Sequence, residues 1–190
     1  MPIISAKTPL KFMLLWILAN FGGFLGSLFW IEIGERGEIG VVQAAIGGLA
    51  IALPQSLILK ETIFTIKWII LTLAAWVLLT TIGIGAVGWS VHSSDILPLR
   101  LYFGAIHGAV GGFAISLAQS LAIRQSVSWA WQWIIVSSLS WAVALPVGYA
   151  VGITLHRLTR LFLGEVVGLA ITWLMVAILT GMTAYRLVNR

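Results

Sequence analysis

Histidine, serine and aspartate stand together once in this chain, at His92-Ser93-Ser94-Asp95, and these are the residue types of a hydrolytic triad. Near neighbours in one short stretch do not reach the geometry in which a base contacts a nucleophile while an acid orients the base. The run therefore reads as an ordinary polar loop. His107 is the other side chain with chemistry of its own. A bis-histidine haem needs a second histidine inside an apolar stretch, and His92 and His156 both fall between stretches, so haem is not expected. Proton transfer at His107 alone has no partner to indicate it. The chain has no Gly-rich phosphate loop with its lysine, no His-Glu-x-x-His helix and no acidic pair inside an apolar stretch. These gaps argue against nucleotide hydrolysis, zinc chemistry and carboxylate-coupled pumping. Cysteine is absent altogether, which removes disulfides and thiolate metal sites. No catalytic residue, metal ligand or cofactor is assigned.

What remains is a set of amides and hydroxyls inside apolar stretches. Gln43, Gln55, Ser56, His107, Gln119 and Ser120 are the candidates, and alignment of the chain with itself makes Gln43 equivalent to His107 and Gln55 to Gln119. One layer, with Thr180 or Thr183 as a third contribution, would hold Gln55, Ser56, Gln119 and Ser120; a second would hold Gln43 and His107. An amide in hydrocarbon is costly unless it faces another polar group or water. Two readings follow: hydrogen bonds that fix helix register, or a polar route for a small solute. Glu165 is expected to snorkel to the surface or to pair with Arg157 or Arg160.

The elements that position these groups are legible from composition. Sixty per cent of the 190 residues are apolar and nine per cent charged, with twenty glycines and ten tryptophans, which is bilayer composition. Crossing about 30 Å of hydrocarbon takes roughly 20 helical residues. Six stretches qualify, from Leu10 to Ile33, Ile39 to Leu59, Trp68 to Gly88, Leu99 to Ile123, Trp131 to Leu155 and Leu161 to Tyr185. They are apolar on all sides, unlike barrel strands. The fold expected is an all-α integral membrane protein, a six-helix bundle in one transmembrane domain over residues 1–190. The first stretch is too long for the core of a signal peptide and lacks a small-residue cleavage site. Pro54 and Pro146 are expected to kink the second and fifth helices.

Six spans place Lys7, Lys11, Lys60, Lys67, Arg124, Arg186 and Arg190 on one side and Arg36, Arg100, Arg157 and Arg160 on the other. Seven against four puts both termini in the cytoplasm. Of the acids, Glu32, Glu35, Glu38, Asp95 and Glu165 fall outside and Glu61 inside. A bacterial-type plasma membrane or an internal membrane is the expected location. The net charge of +5 reads as topology and attraction to anionic lipid. No basic cluster of nucleic-acid type exists, so the lipid bilayer, other membrane subunits or a second copy are the partners expected.

The chain also repeats. Gly40 to Lys60 aligns without a gap on Gly104 to Arg124, with ten of twenty-one positions identical, and Trp68, Ile69, Ile70, Trp76 and Gly83 recur as Trp133, Ile134, Ile135, Trp141 and Gly148. A pair of spans is thus the unit. Units over residues 10–60, 68–124 and 131–186, the third carried by weaker copies, would be related by a pseudo-threefold axis along the membrane normal. Trp16, Trp68, Trp129, Trp131 and Trp133 at one membrane face, and Trp30 and Trp89 at the other, read as aromatic belts. Gly104, Gly108 and Gly112, with Gly148 and Gly152, Gly22 with Gly26 and Gly164 with Gly168, have the spacing of close helix packing. Any such face left pointing outward would be a subunit interface. The leading functional expectation is a non-enzymatic packing or interaction module; the alternative is a small-solute permease or channel.

Overall fold

The computed structural model describes residues 8–34, 39–60 and 63–188. Six helices run in order: α1 Pro9–Ser27, α2 Val41–Leu59, α3 Thr65–Thr81, α4 Leu97–Ile123, α5 Ala130–Thr159 and α6 Leu163–Val188. There is no strand among the described residues. Five of the helices are long and apolar enough to cross a membrane, and α3 is apolar but shorter, at 17 residues. Prolines in the first turns of α1 and α4 start those helices at no cost, because the first-turn N–H groups lack helical partners anyway. Pro54 and Pro146 lie inside α2 and α5, both of which continue through them.

Each helix packs against its two neighbours in sequence, and α6 returns to α1, so the bundle is a closed ring. Phe12 and Tyr185 meet edge to face at 5.6 Å, which puts the start of α1 and the end of α6 at one end of the ring, here the terminal end. The opposite end is the far end. Outward faces carry Leu10, Leu14, Leu18, Ile70, Leu78, Phe113, Leu139 and their like, while Asn20, Gln55, Thr72, Ser116, Gln119, Ser137, Thr172 and Thr180 are buried inside. The interior is mostly apolar as well, but the outward faces are apolar too, and the polar side chains of the spans are gathered inside. That is what hydrocarbon demands, since polar groups find partners there only within the protein.

The third span differs from expectation. Its helix ends at Thr81 rather than Gly88, because Gly83, Gly85 and Gly88 adopt φ of 83°, 90° and 93°, a left-handed backbone closed to a continuing helix. The chain instead folds back into the far end of the ring, where Val87 and Trp89 are buried. At about 1.5 Å per residue, α4 and α5, with 27 and 30 residues, run about 40 and 45 Å, against about 28 Å for α1 and α2 with 19 each. One side of the far end is therefore raised, and the segment 82–96 is stitched to it. Tyr149 Oη donates to Ser90 O at 3.1 Å, Arg100 Nε to Ser94 O at 2.5 Å, and Arg157 Nη2 to Asp95 O.

Of the charges that set the expected orientation, Lys7, Glu35, Arg36, Glu38, Glu61 and Arg190 lie outside the described residues. Lys11, Lys60, Lys67, Arg124 and Arg186 sit on helix or loop positions at the terminal end, and Arg100, Arg157 and Arg160 at the far end.

Candidate functional site

An indole N–H can only donate, so a buried tryptophan selects an oxygen for its neighbour. Toward the terminal end, Trp68 Nε1 of α3 donates to Gln55 Oε1 of α2 at 3.2 Å, and Trp133 Nε1 of α5 to Gln119 Oε1 of α4 at 2.9 Å. Trp16 Nε1 of α1 donates to Thr180 Oγ1 of α6 at 3.0 Å. Three indoles thus reach three acceptors, each on the helix before it around the ring. With their oxygens engaged, the amide nitrogens donate onward: Gln55 Nε2 to Asn20 Oδ1 at 2.7 Å and Gln119 Nε2 to Thr72 Oγ1 at 3.2 Å. Trp16 and Trp68 each lie 5.9 Å from Trp133, centroid to centroid, so the indoles also close the middle of the ring.

A second aromatic group closes the far half. Trp76, Trp89, Trp141 and Trp173 pack with centroids 4.8 to 6.2 Å apart. Trp89 Nε1 donates to Ser27 Oγ at 2.7 Å, and Trp173 Nε1 to Gly88 O at 2.9 Å, which ties the returning segment into the ring. Val87 fills the notch at Gly111, where a Cβ would come within 2.6 Å of it, and Trp89 fills the one at Gly47. Between the two aromatic groups lies a cavity of about 20 Å³, bordered by Asn20, Gln55, Thr72, Trp76 and Gln119 among others. That is room for about one water.

The belt expectation therefore fails for Trp16, Trp68, Trp133 and Trp89, which are at most 2% exposed. Their N–H groups have specific acceptors deep in the ring, which outweighs an interfacial position. Trp30 and Trp131 do face outward. Gln55 and Gln119 each accept from an indole of the next helix, and Thr180, not Thr183, accepts from Trp16. Ser56 and Ser120 are buried but turn their hydroxyls back to Leu53 O and Leu117 O of their own helices. The Gln43 and His107 layer does not exist: Gln43 is exposed at the start of α2, while His107 is half-buried facing a far-end recess. Asn20 and Thr72 were not singled out in the sequence. The spacing Trp-x-x-x-polar, in Trp16/Asn20, Trp68/Thr72 and Trp133/Ser137, is the signal that would have found them.

The glycines named in the sequence are consumed within the ring. A Cβ on Gly104 would meet the Pro146 backbone at 3.1 Å, on Gly112 Trp141 Cβ at 2.8 Å, and on Gly152 a Glu165 carboxylate oxygen at 2.6 Å; on Gly108 it would strike the Trp141 carbonyl, and on Gly148 Thr172 and the Gly168 carbonyl. Gly22 and Gly26 alone of those pairs have open space before them.

Two recesses open at the far end and share Val91, His92 and Ser93 as the wall between them. The larger, about 520 Å³, is lined by Thr80, Gly83, Ser90, His107 and Tyr149 among others. The smaller, about 280 Å³, includes Asp95, Arg100, His156 and Glu165. Glu165 does not reach solvent or pair with Arg157 or Arg160. It accepts from Arg100 Nη1 with both oxygens, at 2.7 and 2.8 Å, the side chains 4% and 6% exposed. Arg100 on the long α4 lies across from it, whereas Arg157 is taken by Asp95 O. His92 Nδ1 accepts the Ser94 backbone N–H at 3.1 Å, and its ring stacks on Phe103 at 4.8 Å. Burial, with smaller contributions from His107 and Arg100, holds the His92 imidazole below its usual pKa. With its Nδ1 occupied by a backbone N–H, His92 has no carboxylate behind it, so the His92-Ser93-Ser94-Asp95 run is not arranged as a triad.

The amide layer makes a direct prediction. Trp133→Phe and Gln119→Leu each leave a buried polar group without its partner and are expected to cost about 1–3 kcal/mol. The double substitution should cost less than the sum, with a coupling of about 0.5–3 kcal/mol. Ser120→Ala, whose hydroxyl serves only its own helix, is the control, expected within about 0.5 kcal/mol. Unfolding of the detergent-solubilised protein measures all four.

The chain matches no family model, and neither a curated protein nor a solved structure shows significant similarity to it.

Proposed function

We propose that this protein is a non-enzymatic membrane module, closed to solutes, that works by association within the membrane. The observation that carries the reading is the double seal: an indole and amide layer toward one end, four tryptophans toward the other, and about 20 Å³ between them. A permease or channel needs its polar layer wetted, and here Gln55 and Gln119 spend their amides on Trp68, Asn20, Trp133 and Thr72. That supports register-fixing hydrogen bonds over a polar route.

Three hairpin repeats about a pseudo-threefold axis fit the same bonds. Each odd helix donates from a tryptophan to the preceding even helix, and each carries a polar residue four positions on and an aromatic eight positions on: Asn20 and Phe24, Thr72 and Trp76, Ser137 and Trp141. The third copy is weak in sequence for a packing reason. Seven positions before each acceptor stand Gly48, Gly112 and Trp173; the glycines make room for Trp76 and Trp141, whereas Trp173 stacks on the smaller Phe24 at 6.0 Å. Bulk has moved from the odd helix to the even one.

Both termini in the cytoplasm, by the seven to four distribution of basic residues, belongs to this reading. So does self-association along α1, because Gly22 and Gly26 leave a shallow lipid-facing strip beside Leu18 and Leu25. The test is co-purification of two differently tagged copies from one membrane. Copies carrying the native α1 should be captured together, and Gly22→Ile should abolish capture without lowering the melting temperature. Failure of native copies to associate in membranes or mild detergent would overturn self-association and leave a different subunit as the partner.

A further inference from the structure

Three of the four hydroxyls that line the larger far-end recess have committed their protons, and the fourth, Ser93, keeps its own to donate. Thr80 Oγ1 donates to Trp76 O at 3.0 Å, Ser90 Oγ to Ala86 O at 3.3 Å and Tyr149 Oη to Ser90 O at 3.1 Å. Each of these three oxygens therefore offers the recess lone pairs and no proton. His92 offers the complement. Its Nδ1 accepts from the Ser94 N–H, so in the neutral ring the mobile proton sits on Nε2 as a donor. His107, its ring centroid 6.5 Å from that of His92, brings one donor and one acceptor when neutral. Ile39, Ile84 and Val91 supply apolar wall. Arg100 and Glu165 neutralise one another behind the His92 wall, in the smaller recess, so no unpaired full charge lines the larger one among the described residues.

From this arrangement we infer that the recess binds a small neutral hydroxylated compound, a polyol or a monosaccharide, either free or as the headgroup of a glycolipid. Hydroxyl groups both donate and accept, which answers fixed acceptors at Thr80, Ser90 and Tyr149 and a fixed donor at His92. A volume of about 520 Å³ suits one sugar ring. A carboxylate or phosphate could use the donors at His92, His107 and Ser93, but it would leave the acceptors at Thr80, Ser90 and Tyr149 unmet and would bury its charge with no lysine or arginine in the lining. The site does not depend on association along α1.

The chain's three histidines make the test direct. Histidine-selective NMR of the protein would follow His92 and His107, with His156, which lines the smaller recess and not the larger, as internal reference. Glucose and myo-inositol, titrated into protein held in phosphatidylcholine nanodiscs, should shift His92 and His107 saturably and leave His156 in place. Thr80→Val, which removes one acceptor at constant shape, should weaken that binding by roughly two- to tenfold with the three spectra otherwise unchanged. Nanodiscs containing a glucosyl diacylglycerol assign the source: shifts there without any from free sugar would identify a lipid headgroup, and the site would stand. Equal movement of all three histidines, saturable shifts with sodium phosphate instead, or no shift with free sugar and glycolipid alike would overturn it.

Discussion

Glu165→Leu should cost about 3–5 kcal/mol, among the largest losses available to a single substitution in this protein, because it leaves the Arg100 guanidinium buried without a counter-charge. The effect reaches beyond the pair. Arg100 also donates to Ser94 O, so loosening its side chain releases one of the stitches that hold segment 82–96 to the raised wall of α4 and α5. Trp89 and Val87, which close the far end, belong to that segment. Thermal unfolding followed by tryptophan emission should report an earlier transition for Glu165→Leu and for Arg100→Met. Combining Arg100→Met with Glu165→Met should recover most of the loss, since two apolar side chains of similar volume need no counter-charge. A double variant no better than the worse single one would show that the pair acts mainly through Ser94 rather than through its charge.

Gly108→Ala and Gly168→Ala are the second pair of large effects, expected to exceed the usual 1–3 kcal/mol of overpacking. In both, the added methyl would strike the backbone of a neighbouring helix, the Trp141 carbonyl for Gly108 and the Gly148 carbonyl for Gly168, and a backbone cannot rotate away as a side chain can. Both sites lie on α5 contacts, so the helices must separate along their length. Gly22→Ala and Gly26→Ala make the same chemical change, yet they face open space and should not lower the melting temperature of the monomer. Measuring the four together separates glycines that hold the ring from those that face lipid.

That contrast marks where the sequence stopped being informative. Helix content and the membrane class follow from apolar runs of bilayer length, a property of each stretch by itself. Gln55 and Gln119 could be singled out because the stretches around them align in sequence and both keep the amide. Thr180 was harder to single out, since it is a hydroxyl where the two aligned stretches carry an amide, and Trp173 stands seven positions before it where they carry glycine. Interior tryptophans were misread because an indole suits both a headgroup belt and a buried donor, and composition does not tell the two apart. Arg100 with Glu165 could not be paired from sequence: both stand at helix starts beside other charges, and the extra length of α4 is what carries Arg100 to Glu165. The early end of α3 was written in Gly83, Gly85 and Gly88, whose effect depends on the backbone angles they adopt. The far-end recess exists only because segment 82–96 folds back, so no single run of residues announces it.

Cysteine accessibility tests the closed ring most directly, because the chain has no cysteine of its own. Single cysteines at Gln55, Gln119 and His107 would be probed in sealed membranes with a water-soluble thiol reagent applied to each side in turn. The result expected is labelling at position 107 from the far-end side alone and none at 55 or 119 from either side. Labelling of 55 and 119 at rates comparable to 107 would contradict the account, since it would mean that water passes the tryptophan seals and that the amides line a route.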